Sequence, residues 1–212
     1  MTKIINLMKE FMKKLRLTTV VVMLAVVTAV SAQVNLGIKG GINLSNLYDN
    51  DLDDKNAKIG FHVGLATDYE FAYNMAIQSG LFFTTKGAKV VYDFPIIGEV
   101  DGTLNSLNFQ VPVHFAYKAD VTPGTRVVFH AGPYLAYGVG GKITSGGDEL
   151  GDTFGDNGLL KRFDAGLGLG VGAEVGAFLI DLGWDMGLVN VANWDNGSIK
   201  NQSAYLSLGY KF

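Results

Sequence analysis

Eight segments of this chain alternate apolar and polar residues with a period of two. In each of them the apolar face is free of Asp, Glu, Lys, Arg and His. A β-strand sends successive side chains to opposite faces, so each such face is one side of one strand. The last segment is the clearest: Ala204, Leu206, Leu208, Tyr210 and Phe212 lie opposite Tyr205, Ser207, Gly209 and Lys211. Phe178, Ile180, Leu182, Trp184, Met186 and Leu188 alternate with Asp181, Gly183, Asp185 and Gly187. Phe163, Leu167, Leu169 and Val171 alternate with Asp164, Glu174 and a glycine at every second position from 166 to 172. Leu107, Phe109, Val111, Val113, Phe115 and Tyr117 face away from Asn108, Gln110, His114 and Lys118. Four more segments follow within 34–44, 59–69, 75–86 and 127–139, and only Phe82 breaks their pattern.

This partition constrains what surrounds the sheet. A soluble sandwich or lipocalin turns its apolar face inward and tolerates an occasional swap. A barrel in lipid needs the strict version, because one charge on the lipid face costs about 2–4 kcal/mol near the midplane. The expected fold is therefore all-β, an eight-stranded antiparallel transmembrane barrel of outer-membrane type. A soluble periplasmic barrel is the competing fold. With 48% hydrophobic and 17% charged residues, the chain is no disordered polymer. It contains no Cys, which excludes disulfides, thiolate metal sites and Cys nucleophiles. A net charge of −3 offers no basic face for nucleic acid.

Residues 1–32 read as an address. Lys13, Lys14 and Arg16 precede an apolar run over 17–30, and Ser31-Ala32 supplies a small-residue cleavage site before Gln33. Met12 opens a more ordinary signal peptide than Met1 does. The leader takes five of the 17 basic and one of the 20 acidic residues, so the barrel domain at 33–212 carries net −7. An exported, acidic, glycine-rich chain without cysteine points to a Gram-negative envelope.

Connections alternate between long (47–57, 92–103, 141–160, 190–200) and short (70–74, 119–124, 176–177), the outer-membrane pattern. Both termini then lie in the periplasm and the long loops face outside. Tyr69, Phe71, Tyr73, Tyr117, Tyr210 and Phe212 are the expected periplasmic aromatic girdle, with Tyr137 and Trp194 near the outer one.

The run Leu107-Asn-Phe-Gln-Val-Pro-Val113, then Gly132-Pro-Tyr134, then Arg162-Phe-Asp-Ala-Gly-Leu-Gly168 and a terminal Gly209-Tyr-Lys-Phe212 together resemble a known family. It is the PorT-like outer membrane protein beta-barrel family of Bacteroidota, and the resemblance covers 33–212. The resemblance implies fold and location, and little about activity. The terminal Phe212 is similar to the aromatic end that barrel-assembly machinery recognises.

Candidate chemistry is sparse. Gly166–Gly172 lacks GxGxxG spacing and a following helix, so its glycines are read as making room in a narrow interior. His62, His114 and His130 fall on the polar face without HxH or HExxH spacing, and hydrogen bonding inside the barrel is their expected role. The acidic run at 49–54 misses the EF-hand glycine and its twelfth-position Glu, leaving weak loop binding of divalent cations open. The interior charges are the most informative set. Lys39, Lys86, Lys118 and Lys211 face Asp164, Glu174, Asp181 and Asp185 across a barrel only wide enough for side chains. Buried charges persist when paired, so a plugging salt-bridge network is expected, with Asp181 and Asp185 as lysine partners. For Lys118, Glu174 and Lys211 the alternative is water at the barrel ends.

These readings converge on a non-enzymatic, porin-like envelope protein with a structural or surface-binding role through acidic outer loops. No catalytic residue, metal or cofactor is expected. Outer-membrane lipid and the assembly machinery are the expected partners, and eight strands close without a second subunit. A narrow channel for ions or small solutes and a membrane-embedded enzyme are the competing functions.

Overall fold

In the computed structural model the described residues are 34–48, 57–94, 98–155, 158–194 and 198–212. The expected leader at 1–32 and the acidic run at 49–54 lie outside them. Ten strands form in chain order: β1 Val34–Tyr48, β2 Lys58–Ala72, β3 Met75–Phe94, β4 Gly98–Thr122, β5 Thr125–Gly140, β6 Lys142–Ser145, β7 Asp148–Asp152, β8 Phe163–Val175, β9 Phe178–Gly187 and β10 Lys200–Lys211. Eight of them close a ring, β1-β2-β3-β4-β5-β8-β9-β10 and back to β1. Closure leaves no free edge among the eight, which is what a sheet in hydrocarbon requires.

The alternation places the faces. Outward-facing Leu65 is 62% exposed and Leu208 65%, while the inward Lys118 is 0% exposed and Asp181 5%. Burial is inverted relative to a soluble fold, with polar side chains inside and a continuous apolar band outside. Phe82 turns inward, and two glycines explain how: a Cβ on Gly64 or Gly80 would lie 2.8 or 2.6 Å from its ring. The ring meets His62 edge-on at 6.4 Å.

The short connections are two-residue turns, Tyr73-Asn74, Pro123-Gly124 and Gly176-Ala177. Asn74 and Gly124 take φ of 61° and 78°, a left-handed backbone that suits Asn and Gly.

Two expected loops are corrected. The segment 92–103 is mostly strand: β3 and β4 stay in register out to Phe94↔Gly98. Within 141–160 a hairpin forms, β6 with β7, and β6 pairs with β4 through Gly102↔Ser145 to Leu104↔Ile143. Its turn is Gly146-Gly147, with φ of 58° and 99°, and Ile143-Thr144 favour the strand. The barrel wall thus extends past the ring on one side.

Candidate functional site: the barrel interior

Among the described residues, inward-facing side chains form three polar groups, met in order from the turn end to the loop end, with a small apolar patch of Ala76, Ala116 and Val128 among them and a larger apolar group beyond them. At the turn end three cations meet three carboxylates. Lys118 Nζ on β4 lies 2.6 Å from Asp68 Oδ2, 2.8 Å from Glu70 Oε1 and 3.2 Å from Glu174 Oε1. The Arg126 guanidinium, at the start of β5, reaches Glu70 Oε1 at 2.9 Å and Glu174 Oε2 at 2.7 Å. Lys211 Nζ lies 2.6 Å from Glu174 Oε1 and 3.6 Å from Asp68 Oδ2. Lys118 and Glu174 are therefore buried partners, which corrects the alternative that they face water at the barrel end; Lys211 is paired as well. Arg126 and Glu70 complete the cluster and were missed, because both sit where the strand pattern frays into a turn. The alternation already put them on the polar face, which was the signal available.

The second group lies deeper. Lys39 on β1 pairs with Asp181 Oδ2 on β9. His130 Nε2 lies 2.8 Å from Asp181 Oδ1, and His130 Nδ1 lies 2.9 Å from His114 Nδ1. The two imidazoles stack with centroids 5.0 Å apart. His62 stands apart from this pair, with Nδ1 2.7 Å from Asn43 Oδ1 and Nε2 2.8 Å from Ser207 Oγ. The Asn43 amide donates to Thr84 Oγ1 and Thr85 O, so its Oδ1 accepts from His62 Nδ1–H and Ser207 donates to Nε2. A cavity of about 30 Å³ opens beside Lys39, Gln78, His130, Glu174 and Asp181, room for about two waters.

The third group surrounds Tyr134, which is buried. Its hydroxyl donates to Asp164 Oδ2 at 3.3 Å, and Asn201 Nδ2 donates to the same oxygen at 2.9 Å. Lys86 Nζ stands 4.7 Å from the Tyr134 ring centroid and has no hydrogen-bond partner among the described residues. Asp185 Oδ2 accepts from Gln110 Nε2 at 2.7 Å. Of the two expected lysine partners, then, Asp181 takes Lys39 while Asp185 takes an amide.

The glycine run of β8 sits against these groups. A Cβ on Gly166 would lie 2.7 Å from the Tyr134 ring, on Gly168 2.6 Å from Asp185 Oδ1, and on Gly170 2.5 Å from His130 Nε2. Three large polar side chains therefore need three absent ones, in mid-strand and far from any phosphate-binding loop geometry.

Beyond Tyr134 the interior turns apolar. Leu47, Ala88 and Leu104, inward from β1, β3 and β4, pack with Phe154 and Leu160 from the β7–β8 connection and Val191, Ala192 and Ile199 from the β9–β10 connection. The two connections are stitched together by Lys161 N–H to Val191 O (2.8 Å) and Asn193 N–H to Leu159 O (3.0 Å). The Phe154 ring fills the space above Gly138, where a Cβ would stand 2.3 Å from it.

Outside, the aromatic residues named from the sequence gather at the turn end. Phe71 lies 6.2 Å from Phe115, Tyr210 lies 5.4 Å from Phe178 and 6.1 Å from Phe212, and Tyr69 lies 6.4 Å from Phe71. Tyr117 pairs across strands with Met75, and the exposed Tyr73 hydroxyl donates to Asp120 Oδ2 at 2.9 Å.

A closed eight-strand ring with a polar interior and an apolar exterior is the architecture described for outer-membrane barrels. The family model for the outer membrane protein beta-barrel domain matches residues 29–193. The chain belongs to that family. Its fold and its location in the outer membrane follow from membership. Similar solved structures include Ail, the attachment invasion locus protein of Yersinia pestis, at 15% identity over 84% of this chain and 98% of that one, TM-score 0.41. Neisserial surface protein A matches at 15% identity over 84% and 97%, TM-score 0.43. OprG of Pseudomonas aeruginosa matches at 12% identity over 84% and 95%, TM-score 0.44. No curated protein matches the sequence.

Proposed function

We propose that this barrel is a non-enzymatic envelope protein whose lumen is plugged and whose activity lies on its loop surface. The observation that carries this reading is the filling of the interior: an ion-pair cluster at the turn end and an apolar cluster at the loop end, with hydrogen-bonded side chains between them. Both arrangements support a lumen without a lane for a hydrated solute, since eight strands enclose little more than their own side chains. The Asn43–His62–Ser207 line has the polarity of a base and its nucleophile. Ser207 is 1% exposed inside the barrel, which supports a packing role.

In this reading the cleaved leader is residues 1–32, the termini lie in the periplasm and the longer connections face outside. Tyr69, Tyr73, Tyr117, Tyr210 and Phe212 anchor the periplasmic interface, and Phe212 is the end offered to assembly machinery. The barrel acts as a monomer, as its ring closure supports. The PorT-like motifs place it in the envelope of a Bacteroidota bacterium. A narrow channel is the second reading, favoured by the cavity beside Lys39 and Asp181. Planar-bilayer recording on the membrane-purified protein separates the two. A silent but folded barrel is expected; discrete conductance steps absent from boiled protein would establish the channel instead.

A further inference from the structure

The wall of the ring is not uniform. Four of its ladders, β1–β10, β10–β9, β9–β8 and β8–β5, pair residue by residue without a gap. Both ladders of β4 skip. Against β3 the pairing runs to Ser79↔Val113 and resumes at Phe82↔Gln110 in the same register. Against β5 it runs to Pro112↔Tyr134 and resumes at Phe115↔Ala131, again unshifted.

Two prolines cause the skips. A hydrogen-bonded antiparallel pair exchanges two N–H···O bonds, and proline has no N–H to give. The Pro112 carbonyl accepts from Ser79 Oγ at 2.7 Å, so Pro112 turns its ladder side to β3, and the Gly80 carbonyl opposite is left without its donor. The next residue, Val113, turns to β5: a Cβ on Gly132 would lie 2.2 Å from its carbonyl oxygen. Pro133 stands opposite, so the Val113 carbonyl loses its donor as well. Proline in a sheet is ordinarily confined to an edge, and a closed ring has none. Two ladder bonds are thus missing at one level, on opposite sides of one strand. That level lies inside the apolar band, where Leu81, Val111, Val113 and Leu135 are exposed outward. Hydrocarbon supplies no replacement donor there.

Side chains hold the place instead. Ser79 ties β3 to Pro112. On the lumen side the stacked His114 and His130 join β4 to β5, Nδ1 to Nδ1 at 2.9 Å. Both clasps are single contacts on rotatable side chains, and they release without unthreading a ladder. We propose that β4 from Val111 to His114 is a seam in the wall, where β4 parts transiently from β3 and β5 while the rest of the ring stays closed. Ion pairs close the turn end and apolar packing the loop end, so the seam is the side on which the buried interior opens.

Backbone nitrogen relaxation dispersion and saturation transfer, on the membrane-purified protein in phospholipid nanodiscs, read such strand separation directly. Exchange is expected at the Gly80, Leu81, Val113 and His114 amides and not at Leu169 and Leu182, which belong to the unbroken β8–β9 ladder. A staple assigns its origin. The shared register sets Leu81 opposite Val111 at the close, non-hydrogen-bonded spacing that suits a disulfide, and the chain has no Cys of its own. Oxidised Leu81→Cys with Val111→Cys should lose the exchange, and reduction should restore it. Pro112→Val with Pro133→Val returns both donors and should also quiet the seam; if that variant does not fold, the staple decides alone. Equal exchange at all six amides, or none at any, would overturn the proposal. Exchange that persists in the oxidised staple would overturn it too, assigning the motion to the stacked imidazoles and not to the wall.

Discussion

The two ends of the barrel interior are closed by opposite chemistries. At the turn end the closure is ionic and is made by strand residues: Lys118, Asp68, Glu174 and Lys211 all belong to the ring, and their geometry is fixed by strand register. At the loop end the closure is apolar, and Phe154, Leu160, Val191, Ala192 and Ile199 come from connections. The difference follows from what each end can control. Strands joined by two-residue turns hold their relative register, so they can place charges at hydrogen-bond distance, where a misplaced buried charge would be costly. Long connections adjust more freely, and apolar packing has no direction to satisfy. Rigid backbone thus carries the demanding interaction and adaptable backbone the forgiving one.

The largest effect should come from breaking the ionic end. Lys118→Met leaves Asp68 and Glu70 short of their buried cation and should cost about 3–5 kcal/mol in urea unfolding. Adding Asp68→Asn should restore part of that loss, since the remaining charges come closer to balance. A Lys118→Met protein as stable as wild type would show that water reaches this cluster. At the apolar end, Phe154→Ala should cost about 3 kcal/mol, the low side for a buried Phe, because the connections can close over the gap. The two closures lie in series along one interior. Opening the loop end with Phe154→Ala and Val191→Ala should leave the barrel silent in a bilayer, as should opening the turn end with Lys118→Ala and Glu174→Ala. All four together should stay silent as well, because the hydrogen-bonded side chains around His130 and Tyr134 still fill the interior between the two ends. Current from either pair alone would mean that only one end closes the lumen.

The comparison also marks what was legible in the sequence. Period-two alternation assigned faces along the ring strands, which is why the interior positions of Lys39, Asp181, His114 and His130 could be named from single residues. Partners could not be, because pairing across a barrel depends on register and tilt: Asp181 and Asp185 look alike in the sequence, yet one meets Lys39 and the other Gln110. Histidines separated by 16 residues were brought into stacking contact by strand pairing that no local spacing encodes. The apolar closure was hidden for another reason. Phe154, Leu160 and Val191 lie in segments without periodicity, where burial is decided by tertiary contact alone. The β6–β7 hairpin escaped for want of length, since four and five residues carry too little alternation to stand out.

That hairpin supplies the smallest expected effect and the sharpest contrast with the turn end. Its Lys142 pairs with Glu149, and both side chains are more than half exposed. Water screens the pair, and holding two long side chains in one geometry costs rotamer entropy, so Glu149→Gln should change stability by about 0.3 kcal/mol or less. Even that should fade in high salt, where the screening length drops to about 3 Å at 1 M. The turn-end cluster, buried in the barrel, should keep its contribution under the same conditions. Urea unfolding of Lys118→Met and Glu149→Gln at low and high salt reads both at once. Equal salt sensitivity would mean that the interior charges are solvated, and the distinction between a buried ionic closure and an ordinary surface ion pair would fall.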